Sequence, residues 1–329
     1  MAGVQGSALA ISVANAGGLG SLPCAMLTAD QIRSELTEIK AKTKRPFNVN
    51  FFCHTQPTPV PEQEKNWRSL LARYYQEYQI DPDTIPAGAG RNPFSAEVAE
   101  VLSEFKPPVV SFHFGLPSDE LMLQVRSWDA KIIASATTLE EAHWLAQRGV
   151  DAIIAQGIEA GGHRGIFLTD DLTTQVGTFE LVQQIVKAIN LPVIAAGGIA
   201  DAAGIKKVMS VGAAGVQIGT AYLLSHEATT SRIHRAALQS PAAENTVVTN
   251  LFTGRPARGI VNRLITECGA INQTVPAFPL ATAALAPLRT QAESQGSGDF
   301  TSMWSGTNNA HCKELSAAEI TLELATGFD

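Results

Sequence analysis

Val193-Ile-Ala-Ala-Gly-Gly-Ile-Ala-Asp201 and Gly215-Val-Gln-Ile-Gly-Thr220 decide how this chain is read. Each is a short apolar run, of the kind that forms a strand buried on both faces, and each runs straight into glycine. A helix-like stretch separates them, so together they read as strand, turn, helix, strand, turn. The same unit recurs upstream. Apolar runs at Leu19–Pro23, Phe47–Phe52, Val109–Phe114, Lys131–Ala136 and Ala152–Gly157 supply five more strands, with amphipathic segments between them. Thr138–Gln147 is typical of these segments. Its Leu139, Ala142, Leu145 and Ala146 share one helical face, and Gly149 follows as a stop signal. Strands alternating with helices predict a parallel sheet in an α/β fold.

The count of such strands is seven. Before the first of them the chain opens at Met1 and enters a helix running to about Ala16, with no strand ahead of it. The expected fold is therefore a (β/α)8 TIM barrel lacking its first strand, either because the start lies upstream of Met1 or because the chain is shortened. Two regions break the period. Residues 54–95 form an insertion with Pro-rich ends and a helical centre around Trp67–Tyr78, where Tyr74, Tyr75 and Tyr78 are expected to pack. Residues 225–300 show no strand pattern and read as helices broken by Pro256, Pro276, Pro279 and Pro287. They are expected to be a small helical cap over the barrel mouth. The division is then barrel 1–224, helical cap 225–300 and a C-terminal return over 301–329 that ends in a helix at Ser316–Thr326.

Composition narrows the functional classes. Of 329 residues 45% are apolar, enough for a large core, and 24 Lys and Arg against 31 Asp and Glu leave a net charge of −7. An acidic chain without a basic run is a poor nucleic-acid binder. No uninterrupted apolar stretch reaches membrane-spanning length, and the N-terminus has no basic signal-peptide region. Cys24, Cys53, Cys268 and Cys312 are scattered without CxxC or disulfide-rich spacing, so a cytosolic setting is expected.

In a barrel the chemistry sits at the C-terminal strand ends. The most unusual such end is Gly157-Ile-Glu-Ala-Gly-Gly-His-Arg-Gly165, four glycines around one His and one Arg. Glycine admits close approach of backbone to a flat ligand, and a neutral imidazole suits a general base. His163 is the candidate. Arg164 beside it reads as a loop anchor without a catalytic role. The glycine turns after the last two strands fall at the usual phosphate site of barrel enzymes, where backbone N–H groups hold the anion. Asn48, Asn50 and His113 stand at other strand ends, each as open to a core role as to a ligand role; Asn50 offers both a donor and an acceptor to a heterocycle edge. His54, His143, His226, His234 and His311 show no metal-ligand spacing, and no metal is expected. There is no nucleophile elbow, Walker loop or dinucleotide fingerprint.

In order along the chain, Met1-Ala-Gly-Val, Asn48-Val-Asn50, Ser111-Phe-His-Phe-Gly115, the Gly157–Gly165 loop, Ala196-Gly-Gly-Ile-Ala-Asp201 and Gln217-Ile-Gly-Thr220 resemble the successive motifs of the nitronate monooxygenases. The resemblance implies an FMN-dependent enzyme that oxidises alkyl nitronates with O2 to carbonyl compounds and nitrite. It implies His163 as the catalytic base. It implies Asn50, Gln156, Gly161, Gly197, Gly198, Gln217, Ile218, Gly219 and Thr220 as flavin contacts. Trp304-Ser-Gly306 is similar to a C-terminal element that returns to the flavin. Family members carry an Ile/Val strand and a Pro before Met-Ala-Gly, which agrees with the strand count. The alternatives are a flavin-dependent enoyl-acyl-carrier-protein reductase or an NADH:quinone reductase on the same barrel, and a phosphate-ligand-binding barrel without turnover.

Overall fold

The computed structural model describes residues 1–85 and 91–329. Seven parallel strands curl into a TIM-like sheet in the order β1 (Gly20–Pro23), β2 (Phe47–Phe52), β3 (Val109–His113), β4 (Lys131–Ala136), β5 (Ala152–Gln156), β7 (Val193–Ala196) and β8 (Gly215–Gln217). The two-residue strand β6 (Gly162–His163) lies outside this sheet. All seven expected strands are present, and β1 and β8 are the edges. Sequence runs overstate their lengths at the C-terminal ends, because Phe114 and Gly197 already turn with φ of 70° and 122°.

Helices α1 (Ser7–Asn15), α2 (Ala29–Lys42), α3 (Pro61–Glu77), α4 (Ala96–Phe105), α5 (Asp119–Arg126), α6 (Leu139–Gln147), α7 (Thr178–Ala188) and α8 (Ala202–Met209) follow. Most begin at a side-chain cap that the sequence supplies. Thr28 and Gln31 make a reciprocal capping box, and the Thr138 and Asp201 side chains accept from the N3 amides of their helices. On α7 the spacing of Leu181, Val182 and Ile185 puts all three fully inside, against the sheet. Each such side chain contributes about 1.5–3 kcal/mol. Glu141, also fully buried, is satisfied by the Thr137 amide and hydroxyl and by the Phe167 and Leu168 amides.

Residues 225–300 depart from the expectation of helices alone. They contain α9 (Arg232–Leu238), β9 (Thr246–Thr249), β10 (Ala257–Ile260), α10 (Arg263–Cys268) and α11 (Thr282–Ser294). Strand β10 pairs antiparallel with β9 on one side and with β6 on the other. These strands are short, and Arg258-Gly259 interrupts the alternation that marks a half-buried strand. Pro256 precedes β10 rather than breaking a helix, and Pro287 lies inside α11, where packing of Leu285 and Leu288 carries the helix through it.

The insertion departs as well. Its helix α3 starts at Pro61, earlier than Trp67, and packs on α11. Trp67 Nε1 donates to Ala281 O at 3.2 Å and Tyr75 Oη to Ala284 O at 2.8 Å. With Leu71, Tyr74, Leu251, Phe252, Leu264 and Phe300 these residues form a second apolar core, separate from that of the barrel. Residues 86–90 of the insertion lie outside the described residues. The chain closes with α12 (Ala317–Ala325), capped reciprocally by Ser316 and Glu319 and packed on α1 and α8.

Candidate active site

Strand β5 delivers its last residue, Gln156, to the mouth of the barrel, and the glycine-rich loop that follows is held from below by Arg164. This side chain is fully buried. Its Nη2 donates to Gln156 O at 2.7 Å, Nη1 to Gly157 O at 2.8 Å and Nε to Gln175 Oε1 at 3.1 Å. One guanidinium thus ties the loop back to the strand that launches it, which is the anchor role read from the sequence. From above, β10 pairs with β6, and the Arg164 amide donates to Pro256 O at 2.8 Å.

Those two restraints place His163. Its carbonyl accepts from Gln156 Nε2 at 3.0 Å and from the His113 Nε2–H at 3.2 Å. Gln156 Oε1 in turn accepts from the Gly165 amide, so the Gln156 side chain is committed to shaping the loop. The His163 ring projects into an aromatic box, with centroids 6.0 Å from Phe52, 6.0 Å from Phe114, 5.4 Å from Phe278 and 5.5 Å from Trp304. His163 Nε2 lies 2.9 Å from Thr253 Oγ1, whose hydroxyl also reaches Arg255 O at 3.4 Å. With that hydroxyl proton on Arg255 O, Nε2–H donates to Thr253 and leaves Nδ1 as the basic nitrogen.

The box keeps its imidazoles uncharged. Burial holds His163 well below the usual histidine range, and the Arg91 and Arg255 charges add to this. His113 is pushed down to about 3, chiefly by burial, and His54 is lowered for the same reason. At neutral pH His163 is therefore a proton acceptor rather than a cation.

Beside the box lie the two glycine turns. Gly198 sits at φ 67°, a left-handed conformation that glycine adopts freely. Among the described residues, the amides of Gly198, Ile199, Gly219 and Thr220 donate no hydrogen bond to another backbone group or to a side chain. Four N–H groups on adjacent turns, open to a ligand, are the donor set an anion such as a phosphate needs. The C-terminal segment closes over them. The Gly306 amide donates to Thr220 Oγ1 at 3.0 Å and Asn308 Nδ2 to Gly198 O at 3.2 Å. It crosses Gly161 so closely that a Cβ there would lie 2.5 Å from Gly306 N and 2.6 Å from the Ser305 carbonyl carbon. Gly161 is thus fixed by backbone crossing backbone.

On β2, Asn48 and Asn50 share the inward face. Asn48 Nδ2 donates to Ser21 Oγ and Ser111 Oγ, both at 2.8 Å, and its buried Oδ1 has no partner among the described residues. Asn50 Nδ2 donates to Ser111 Oγ at 2.8 Å. At the edge strand Gln217 is exposed, while Ile218 packs against the barrel core. The structure also gathers residues that sequence patterns did not single out: His54, Phe52, Phe114 and Phe278 in the box, Thr253 on the His163 ring, and Arg91 and Arg255 at its rim. Only Phe114 carried a signal, as the last residue of an apolar run before a glycine. Among the described residues no group of three or more His, Cys, Asp or Glu is placed to hold a metal, and no helix is long and apolar enough to cross a membrane.

Comparison with known proteins gives one family. Residues 1–327 match the family described as nitronate monooxygenase. A nitronate monooxygenase of Paraburkholderia phytofirmans is 40% identical over 327 residues, spanning 98% of this chain and 89% of that protein. One of Pseudomonas aeruginosa is 37% identical over 325 residues, 97% of this chain and 92% of that one. Among solved structures, nitroalkane oxidase from Streptomyces ansochromogenes superposes with a TM-score of 0.88 at 36% identity, covering 99% of this chain and 92% of that chain. FabK from Thermotoga maritima gives 0.73 at 26% identity, with 100% and 90% coverage.

Proposed function

The chain belongs to the nitronate monooxygenase family, and on that premise we infer that it is a flavin-dependent oxidoreductase that oxidises alkyl nitronates with O2 to carbonyl compounds and nitrite. The observation that carries the inference is the placement of His163, neutral and ring-boxed, beside two turns whose amides are open to an anion. A flavin held at these turns would supply the redox chemistry, and the chain's own residues would bind and orient the substrate.

The finer reading is that the flavin is FMN. Its single phosphate suits the one cradle formed by the turns at Gly197–Gly198 and Gly219–Thr220, and the sequence holds no dinucleotide fingerprint. Asn50 and the run Gln217–Thr220 would complete the contacts, with Gln156 and Gly161 acting through the loop they shape. Heat release followed by chromatography should return FMN, and recovery of FAD would overturn this.

The chain's own groups account for the rest of the chemistry. Phe52, Phe114, Phe278 and Trp304 exclude water from the His163 ring. His163 Nδ1 removes the α-proton of a neutral nitroalkane, and Thr253 orients the ring by accepting from Nε2–H. Residues 225–300, together with α3, act as the cap that shapes the substrate pocket. His163→Asn should retain flavin and lose turnover of neutral nitroalkanes by about 10²-fold or more, the usual scale for a general base. Preformed nitronate needs no deprotonation and should suffer less. Equal activity of variant and parent on the neutral substrate would refute the base role. NADH oxidation driven by an enoyl thioester or a quinone, without oxygen uptake on nitronates, would move the chain to a reductase activity.

A further inference from the structure

Two arginines at the rim of the aromatic box have no role in the chemistry above. Arg255 stacks on Phe114, its guanidinium carbon 4.0 Å from the ring centroid. Arg91 lies over Phe278 at 5.6 Å, and the Phe114 and Phe278 centroids are themselves 5.6 Å apart. The two cations thus flank the ring pair against which His163 packs. Arg91 is tied in through its carbonyl, which lies 3.0 Å from His54 Nε2 and accepts from Gln56 Nε2 at 2.8 Å. Arg255 donates through Nη2 to Ile166 O.

Neither charge is answered by the protein. Arg91 Nη1 and Arg255 Nε are buried with no hydrogen-bond partner among the described residues. Neither side chain forms an ion pair there; the carboxylates of Asp170 and Glu141 act on Arg255 only at longer range. Buried guanidiniums are ordinarily paired, and buried N–H groups ordinarily bonded. Here two half-buried guanidiniums, each with one buried and unpartnered nitrogen, both bear on the neutral His163. With the ring faces already occupied by these two cations, a mouth lined this way attracts a small anion.

We propose that Arg91 and Arg255 are the anion seat of this site, holding the negatively charged nitronate oxygens of the substrate while His163 faces its α-carbon. The identity of the anion rests on the nitronate reading; the seat itself does not. A nitronate shares one negative charge between two oxygens, and a guanidinium meets such a pair with directed N–H donors. A neutral nitroalkane brings no charge on arrival. As His163 Nδ1 takes its α-proton, the electron pair of the broken C–H bond moves onto the nitro group. The seat then holds charge that was absent in the ground state. The two arginines therefore set the preference for substrates that arrive as anions.

The test uses nitrate, a planar oxyanion that cannot react, with the flavin-loaded protein. In the parent, nitrate should raise the melting temperature saturably, whereas an equal concentration of a neutral nitroalkane should not. No stabilisation by nitrate overturns the proposal without recourse to any variant. Arg91→Met and Arg255→Met keep an apolar stem on the rings and remove the charge. Each should weaken nitrate binding, read by calorimetry, at least tenfold, with the Lys variants intermediate. KM for preformed nitronate should rise in parallel while kcat changes less than about threefold. Nitrate affinity within twofold of the parent in both Met variants sinks the seat. Arginine-dependent nitrate binding in a protein that does not oxidise nitronates would uphold the seat and overturn the activity instead.

Discussion

Arg164→Met tests whether one buried guanidinium holds the Gly157–Gly165 loop. The methionine stem fills most of the arginine's space, so the change removes three hydrogen bonds with little cavity. Two go to the backbone carbonyls of Gln156 and Gly157 and one to Gln175. Charge-assisted bonds of this kind contribute about 2 kcal/mol each, roughly 6 together. Against this stands the relief of a buried charge. Burial holds the Arg164 guanidinium near 10 rather than 12.5, a cost of about 3 kcal/mol. The net loss is then about 3 kcal/mol. At about 2.1 cal/mol/K of unfolding entropy per residue, a chain of this length has an unfolding entropy of about 0.7 kcal/mol/K, so the melting temperature should fall by about 4 °C. Arg164→Lys should recover less than half, because one ammonium cannot reach three acceptors arranged for a planar fork. The assay is a calorimetric melt of both variants at pH 7.5, with flavin content measured on the same samples. Activity should fall more than the melt implies, because the loop that places His163 loosens first. A variant melting within 1 °C of the parent would refute the reasoning, and the β6–β10 pairing would then hold the loop unaided.

Gly161→Ala should destabilise by about 2–4 kcal/mol and lower flavin retention, since its Cβ would meet Gly306 backbone at 2.5 Å with no flexible side chain to yield; a stoichiometrically flavinated variant with the parent's melt would count against that crossing. Acid should destabilise the fold through its buried histidines. His54, His113, His163 and His234 are all depressed by burial, so the folded state resists protonation. Their contribution is complete above about pH 6.5 and is lost as pH falls below it. His234, 4% exposed and held near 4, accounts alone for about 2 kcal/mol of loss at pH 5. A melting temperature that stays level between pH 7.5 and pH 5 would contradict this, and His234→Phe should make the slope shallower.

What could be read in the sequence follows from how each part is stabilised. Strands β3, β4, β5 and β7 are apolar because both faces are covered, so the run itself announces the strand, and the barrel follows from repetition. The Gly157–Gly165 loop was legible because four glycines around one His stand out at a strand end, and three of them are indeed fixed by close approach, a Cβ at Gly157, Gly161 or Gly165 meeting a neighbour under 3 Å. β9 and β10 were not legible. They are only four residues each and pair with one another, while the outer partner of β10 is a two-residue piece of that same loop, far away in sequence, a pairing that no local period records. The wall of the site escaped for the same reason. Thr253, Arg255 and Phe278 lie on connections between short elements, where nothing repeats; Trp304 was marked only by its resemblance to a returning C-terminal element.

That division puts part of the wall around His163 outside the barrel. The sheet brings Asn50, His113 and Gln156 to one mouth and its strand ends hold the His163 carbonyl and set Phe52 and Phe114 beside the ring. The His163 ring is oriented by Thr253, walled by Phe278 and Trp304, and flanked by Arg255, all contributed after residue 250. The same stretch crosses the glycine turns through Gly306 and Asn308. A flavin bound at those turns would therefore meet the segment that forms the wall around His163. Loading the cofactor and completing the box around His163 would then be one event. Chains stripped of flavin should show protection from amide exchange lost over residues 301–309 and β10 together, while the amides of β3 and β4 stay protected. Loss confined to the glycine turns would mean that the box is built without the cofactor.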